Sequence, residues 1–293
     1  MGKGGVGRTS LSAALALAHA QRGERVGLAS LASATELEHA VRAGWGAPPA
    51  TLQFFHLEAR ALVDNVLRRL MPIPALTQLV TSHPAYDAVY SVAPGVKELA
   101  VLHRLLELAD LDAFDRLIVD GYATGHGTHF LEAPRRSARM LVGQLADRAR
   151  RIDAALMDGA RTSVLLVTTL EEMPVRETQE LAGQLQAGGF RLDGILANRS
   201  VEHIFSSPGA TQALARLEER AVASRVGSEL GAPWRSVQRF ARAGRYFEAR
   251  AQEQEAHLTA LRGLGAPLVR VPLLPLEEGR LRFMAARLAE AGL

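Results

Sequence analysis

Met1-Gly-Lys-Gly-Gly-Val-Gly-Arg-Thr-Ser10 opens the chain, and how this stretch is read decides the fold. Gly2, four further residues, Gly7, then Arg8 and Thr9 follow the spacing of a phosphate-binding loop, with arginine where the second basic residue is normally lysine. Glycines at 2, 4, 5 and 7 let the backbone curl with positive φ, so that successive N–H groups converge on a polyphosphate. Leu11, Ala14, Leu15 and Ala18 recur at helical spacing, which puts the loop at a helix N-terminus, where the dipole favours anions. On this reading Gly4, Gly5, Gly7, Arg8 and Ser10 hold phosphates, Gly2, Lys3 and Val6 complete the loop, and Thr9 offers its hydroxyl to Mg²⁺. A glycine-rich turn is the plainer alternative. It accounts for the glycines but not for Lys3 and Thr9 at those offsets. Arg8 is not a neutral replacement, because a long planar guanidinium stands where the loop expects a compact ammonium; binding is expected to survive that better than turnover.

Outward from the loop, short apolar runs at 25–31, 52–57, 114–120, 163–169, 194–198 and 267–272 alternate with stretches of helical period. Such alternation implies an α/β fold: a doubly wound, mainly parallel sheet with helices on both faces and ligand at the carboxyl ends of the strands. The run 114–120 ends in Asp120, a carboxylate placed to hold Mg²⁺ through water. One domain over 1–293 is expected, with helical insertions at about 61–112 and 201–262. In proteins with this loop the glycines follow a buried central strand, so an apolar strand is expected upstream of Met1, the first central strand being missing from the chain. A truncated or decayed protein is the alternative.

With 293 residues and 48% hydrophobic content, the chain can bury a large core. Its net charge is only +3 and it has no basic run, so nucleic acid is not an expected partner. Lysine occurs only at Lys3 and Lys97, and nearly every cation is arginine. The absence of cysteine removes disulfides, thiolate metal sites and thiol nucleophiles. Neither a leader nor a bilayer-length apolar run is evident, so a cytoplasmic location is expected. Residues 277–293 carry Leu281, Met284, Ala285 and Leu288 at helical spacing, read as a closing helix rather than a membrane anchor.

These motifs together resemble the ArsA-like ATPases, the arsenite-pump and tail-anchored-protein targeting ATPases with a deviant Walker A loop. The resemblance rests on Lys3 directly after the first glycine, on Asp120 followed by Thr124-Gly125-His126, on Phe130-Leu-Glu-Ala-Pro134, and on Pro94-Gly95 with Glu98. It runs in the same order from Gly2 to Pro275. It implies a P-loop NTPase that binds ATP with Mg²⁺, hydrolyses it, and closes as a homodimer around nucleotide. Lys3 would reach the phosphates across that dimer and join Asp120 as a catalytic residue. Thr9 and Asp120 would hold the metal, Asn198 would recognise adenine, and Pro272 would begin the loop covering it. Apart from the resemblance, Arg and Glu alternate around Trp234, Tyr246 and Phe247 in the second insertion, which reads as a solvated helix face, a partner-binding helical cap being the sharper alternative. Two departures weigh against turnover: Arg8, and Ala32, aligned with the aspartate that positions water; Glu36 or Glu38 could replace that aspartate only if the loop moved. The cysteine devices of the arsenite and targeting branches are absent. The expected function is thus an ATPase, with a hydrolysis-deficient nucleotide-binding scaffold as the alternative and a ParA- or MinD-like positioning ATPase as a weaker one. His126 and His129 are read as a switch residue and a helix-face residue rather than a metal pair.

Overall fold

A computed structural model describes residues 1–31, 34–70, 95–122, 124–205, 207, 209–274 and 279–293, without the side chains of 34, 36, 67, 69, 70 and 124–126. Among the described residues, six strands form two three-stranded parallel sheets. In the first, β1 (Val26–Ser30) lies between β2 (Leu52–His56) and β3 (Arg116–Asp120). In the second, β5 (Leu192–Ser200) lies between β4 (Val164–Thr169) and β6 (Leu268–Pro272). Each expected strand is present, trimmed or extended by one to two residues. β1 is buried along its whole length, as an apolar run covered on both faces must be.

Alternate strand residues enter two different cores. Ala29, Leu166, Ile195 and Ala197 pack with α4 (Val96–Asp110), α5 (Thr124–Met140), α6 (Gly143–Met157), α7 (Glu172–Ala187) and α10 (Trp234–Arg262). Val26, Leu28, Val167, Leu196 and Val271 pack with α1 (Arg8–Gln21), α2 (Ala34–Trp45) and α11 (Arg280–Glu290). Both cores draw on both sheets, so the helices cover two faces of one layered α/β body. Gly27 belongs in β1 for a packing reason: a Cβ there would come within 2.9 Å of Leu117 Cδ1.

α1 is buried nearly all round through Leu11, Ala13, Ala14, Ala16, Leu17 and Ala18, and α11 closes over it with Leu281, Met284, Ala285 and Leu288. Full burial of leucine-sized side chains contributes about 1.5–3 kcal/mol each, so the last helix is a core element. Its apolar stripe is spent inside the protein. α3 (Ala59–Leu70) and α4 occupy the described part of the first helical stretch, and α8 (Ala210–Leu217), α9 (Arg220–Leu230) and α10 the second. Among the described residues, no helix is long and apolar enough to cross a membrane.

Register brings polar residues to one edge. Ser30 pairs with His56 and Asp120, and Thr169 with Asn198, all at the carboxyl ends of their strands. Met1 and Gly2 lie along β4: the Met1 amino nitrogen donates to Leu165 O at 2.6 Å, and Val167 N donates to Met1 O at 2.7 Å. The Met1 side chain rests against Gly121 and Gly127. The loop therefore starts between the ends of β3 and β4.

Candidate functional site

The glycine loop stands over the carboxyl ends of β4 and β5 and runs into α1, with Leu11 N donating to Gly7 O at 3.0 Å to begin the helix. Gly2, Gly5 and Gly7 each have their own reason. Gly2 packs so closely on the Val167 carbonyl that any Cβ would overlap it. Gly5 and Gly7 have φ of 82° and 93°, a region other residues occupy only with strain. Gly4 differs from the expectation: its φ is not positive, and a Cβ there would meet nothing within 4 Å. Gly4 and Gly5 are exposed, so the mouth of the loop opens to solvent. Val6 points the other way and is 2% exposed in the α1 core.

Asp120 and Thr9 converge on this loop from 111 residues apart. Thr9 Oγ1 donates to Asp120 Oδ2 at 2.8 Å. Asp120 is buried, and its other oxygen, Oδ1, is enclosed without a hydrogen-bond partner among the described residues. An unpartnered buried carboxylate oxygen is costly unless a donor or cation meets it. A hydroxyl and a carboxylate beside an anion-binding loop are a hard oxygen set that suits Mg²⁺, so the residues present fit that metal. Electrostatics nearby are tight as well. Burial pushes the Met1 α-amino group down to about 5, the Arg8 guanidinium adds to that, and Asp120 opposes it.

The two loop cations do not face the mouth. Arg8 Nη1 donates to the Gly121 carbonyl at 2.5 Å, so the guanidinium crosses to the turn after β3. Lys3 Nζ donates to Glu177 Oε1 on α7 at 2.7 Å. Ser10 is half-buried in the first turn of α1. Asn198 ends up under the loop: its Nδ2 donates to Val6 O at 2.7 Å, and its Oδ1 accepts from Arg199 N at 2.9 Å. The side chain is 2% exposed, and a Cβ on Gly7 would overlap its amide nitrogen. Both ends of the carboxamide are thus committed to backbone. Pro272 lies at the end of β6, register-paired with Ser200, and is half-buried.

Beyond Asn198 opens a cavity of about 260 Å³ whose lining includes Leu273, in the loop expected to cover adenine. Thr169 and Glu171 from the end of β4, Arg199, Leu273, and Tyr246 and Arg250 of α10 are among its walls. Arg199 is held at φ 55°, unlike any other described non-glycine residue, and Arg250 pairs with Glu171 at 3.2 Å. Aromatic and cationic side chains there can take a flat, electron-rich group.

Several expected positions lie elsewhere. Ala32 falls outside the described residues, as do Pro94 and Pro275, and the side chains of Glu36, Thr124, Gly125 and His126 are likewise undescribed. Glu38 pairs with Arg42 one turn along α2, at 2.8 Å. His129 lies beside Arg136. Glu177, which no motif of the sequence singles out, is the residue that meets Lys3. No local pattern could have joined positions 174 apart.

Comparison with known proteins decides which lineage built this site. The sequence profile of the family described as anion-transporting ATPase, ArsA ATPase, matches residues 1–146 and 140–207. The chain belongs to the ArsA ATPase family. Protein Rv2184c of Mycobacterium tuberculosis is 28% identical, with 68% of this chain and 57% of that protein covered. A putative arsenical pump-driving ATPase of Chlorobaculum tepidum is 24% identical, with 69% and 60% covered. An arsenical pump-driving ATPase of Escherichia coli is 25% identical, with 69% and 34% covered. The chain thus spans less than two thirds of the length of these ArsA relatives. Membership of the ArsA ATPase family supports an ATPase function and implies nucleotide use.

Proposed function

We propose that this ArsA-family chain binds Mg-ATP at the Gly2–Ser10 loop and turns it over as a nucleotide-dependent homodimer. The observation that carries the reading is the meeting of Thr9 Oγ1 with Asp120 at the loop, with the second Asp120 oxygen buried and unpartnered among the described residues. Thr9 and Asp120 would hold Mg²⁺, which when bound would neutralise phosphate charge and orient the terminal phosphoryl group. The backbone amides from Gly4 to Ser10 and the dipole of α1 supply the anion site. Gly5 and Gly7 keep those amides turned inward.

Arg8 donates to the Gly121 carbonyl after β3; releasing it costs one bond to a neutral acceptor and frees the guanidinium fork for phosphate oxygens. Lys3 supplies the second charge. The base would lie in the cavity beyond Arg199, next to Asn198, whose carboxamide already bonds Val6 O and Arg199 N. Tyr246 offers a ring for stacking and Arg199 a donor edge.

Isothermal titration of the purified chain with ATP and Mg²⁺, read beside phosphate release, tests the proposal. Binding with release identifies an ATPase, and loss of release in Lys3→Ala with binding retained supports closure across a dimer. Binding without release supports the scaffold reading, for which the arginine at position 8 is the specific observation. No heat with Mg-ATP overturns both.

A further inference from the structure

Lys3 is one of two lysines in 293 residues, and it sits in the loop whose amides gather an anion. Its ammonium meets an anion that the chain itself provides. Nζ lies 2.7 Å from Glu177 Oε1, with the two side chains 36% and 28% exposed. Glu177 belongs to the second turn of α7, the helix that leaves the end of β4, the same strand on which Gly2 is packed. The strand thus fixes both partners. A half-exposed pair of this kind adds little to stability, typically about 0–1 kcal/mol, so its presence at the loop is better explained by what it does to Lys3 than by what it does for the fold.

A carboxylate and a phosphate oxygen ask for the same donor. The Lys3 ammonium has three donors but a single charge, and a polyphosphate met as the dimer closes brings several negative charges to compete with one carboxylate. We propose that Glu177 is a placeholder anion for Lys3: it holds the ammonium until nucleotide phosphate takes it, and so sets triphosphate affinity and marks on α7 whether the loop is filled. The proposal rests on the nucleotide reading above and adds a positioning residue to it. Glu177 touches neither phosphate nor metal; it acts through Lys3. α7 is well placed to carry the mark, because Thr128 of α5 approaches Gln184 at 3.5 Å and Gln186 donates to Leu264 O, just past α10, at 3.3 Å.

The scarcity of lysine makes the test direct. The full chain is acetylated with an N-hydroxysuccinimide ester, and labelling of Lys3 relative to Lys97 is followed by peptide mass spectrometry. In Glu177→Gln, Lys3 should label several-fold faster than in the wild type without nucleotide, and Mg-ATP should slow it again as phosphate replaces the lost carboxylate. In titration calorimetry Glu177→Gln should bind Mg-ATP roughly three- to ten-fold more tightly, and the gain should vanish in a Lys3→Ala background, which a merely structural role for Glu177 would not produce. Wild-type labelling rates in Glu177→Gln, or an equal gain in both backgrounds, overturns the placeholder role. Absence of Mg-ATP binding in every variant sinks that role and the nucleotide reading together, whereas binding that ignores Glu177 sinks the placeholder role alone.

Discussion

Replacing Asn198 separates two roles that its position at the end of β5 allows, reading a base or propping the loop. Its carboxamide donates to Val6 O at 2.7 Å and accepts from Arg199 N at 2.9 Å. Asn198→Ala removes both bonds. Val6 is 2% exposed, so its carbonyl is left unpaired where water does not reach, which costs roughly 1–3 kcal/mol. Arg199 is exposed, its N–H can turn to water, and losing that bond adds about 1 kcal/mol at most. The sum is about 1–4 kcal/mol, equivalent to roughly 2–10 °C in melting temperature. Asn198→Asp keeps the acceptor but aims a carboxylate oxygen at Val6 O, so it should cost at least as much. Gly7→Ala attacks the same contact from the other side, overlapping the Asn198 amide and adding about 1–2 kcal/mol of left-handed strain at φ 93°. Urea unfolding without ligand gives the stability. Calorimetry with magnesium tripolyphosphate and with Mg-ATP gives the binding. A prop lowers stability in the absence of ligand and weakens both ligands by the same factor. If Asn198→Ala is as stable as the wild type and weakens ATP alone, the carboxamide reads the base and the reasoning here is wrong.

Three further outcomes are expected. Asp120→Asn should lose most of the magnesium dependence of ATP binding, and chelation of Mg²⁺ should weaken the wild type but not the variant; equal sensitivity in the two would remove Asp120 from the metal site. Tyr246→Ala should reduce ATP affinity about ten-fold, the scale of one lost stacking contact, while tripolyphosphate affinity stays unchanged; a parallel loss of both ligands would place the base elsewhere. Away from the site, side-chain hydrogen bonds from Arg25, aided by its backbone N–H, hold the Asp115 carboxyl down from 3.8 to about 2. A depressed carboxylate stabilises the fold fully above about pH 4 and loses that contribution as pH falls towards about 2, so a carbon-detected NMR titration should find Asp115 ionising far below a free aspartate, and Arg25→Ala should bring it back up. Ordinary titration in the wild type would refute the pairing.

Much of this was legible because the relevant physics is local. A buried parallel strand needs an uninterrupted apolar run, and β1 and β4 supply one. The glycine spacing, the helical period behind it and the aspartate closing β3 place Thr9 and Asp120 together once the strands are drawn parallel. What stayed hidden depends on pairings that no periodicity encodes. Asn198 reaches Val6 across 192 positions and Lys3 reaches Glu177 across 174, and in each case the deciding fact is which strand end lies beneath the loop. For Asn198 residue type leaves two roles open, since a carboxamide that can read adenine can equally bond a carbonyl and an amide of the backbone. The cavity beyond Arg199 was hidden for a similar reason: its aromatic wall belongs to α10, whose alternating Arg and Glu residues suggest an ordinary solvated face.

The resting arrangement of the two loop cations also orders the events of binding. Arg8 holds a neutral carbonyl and Lys3 a carboxylate, so the mouth at Gly4 and Gly5 offers arriving phosphate chiefly backbone amides and a helix dipole. Those donors are fixed and need no rearrangement, and they should be met first. Arg8 can then leave Gly121 at the expense of one bond to an uncharged acceptor, whereas Lys3 must exchange one anion for another, which only a ligand of greater charge makes favourable. Discrimination by phosphate number follows: a diphosphate that satisfies the amides can bind with Lys3 still on Glu177, and a triphosphate is the ligand with charge to spare for drawing it away. Comparing Mg-ADP with Mg-ATP in Glu177→Gln tests that order, since removing the carboxylate should tighten the triphosphate more than the diphosphate; an equal gain for both would mean that Lys3 leaves Glu177 as soon as any phosphate arrives.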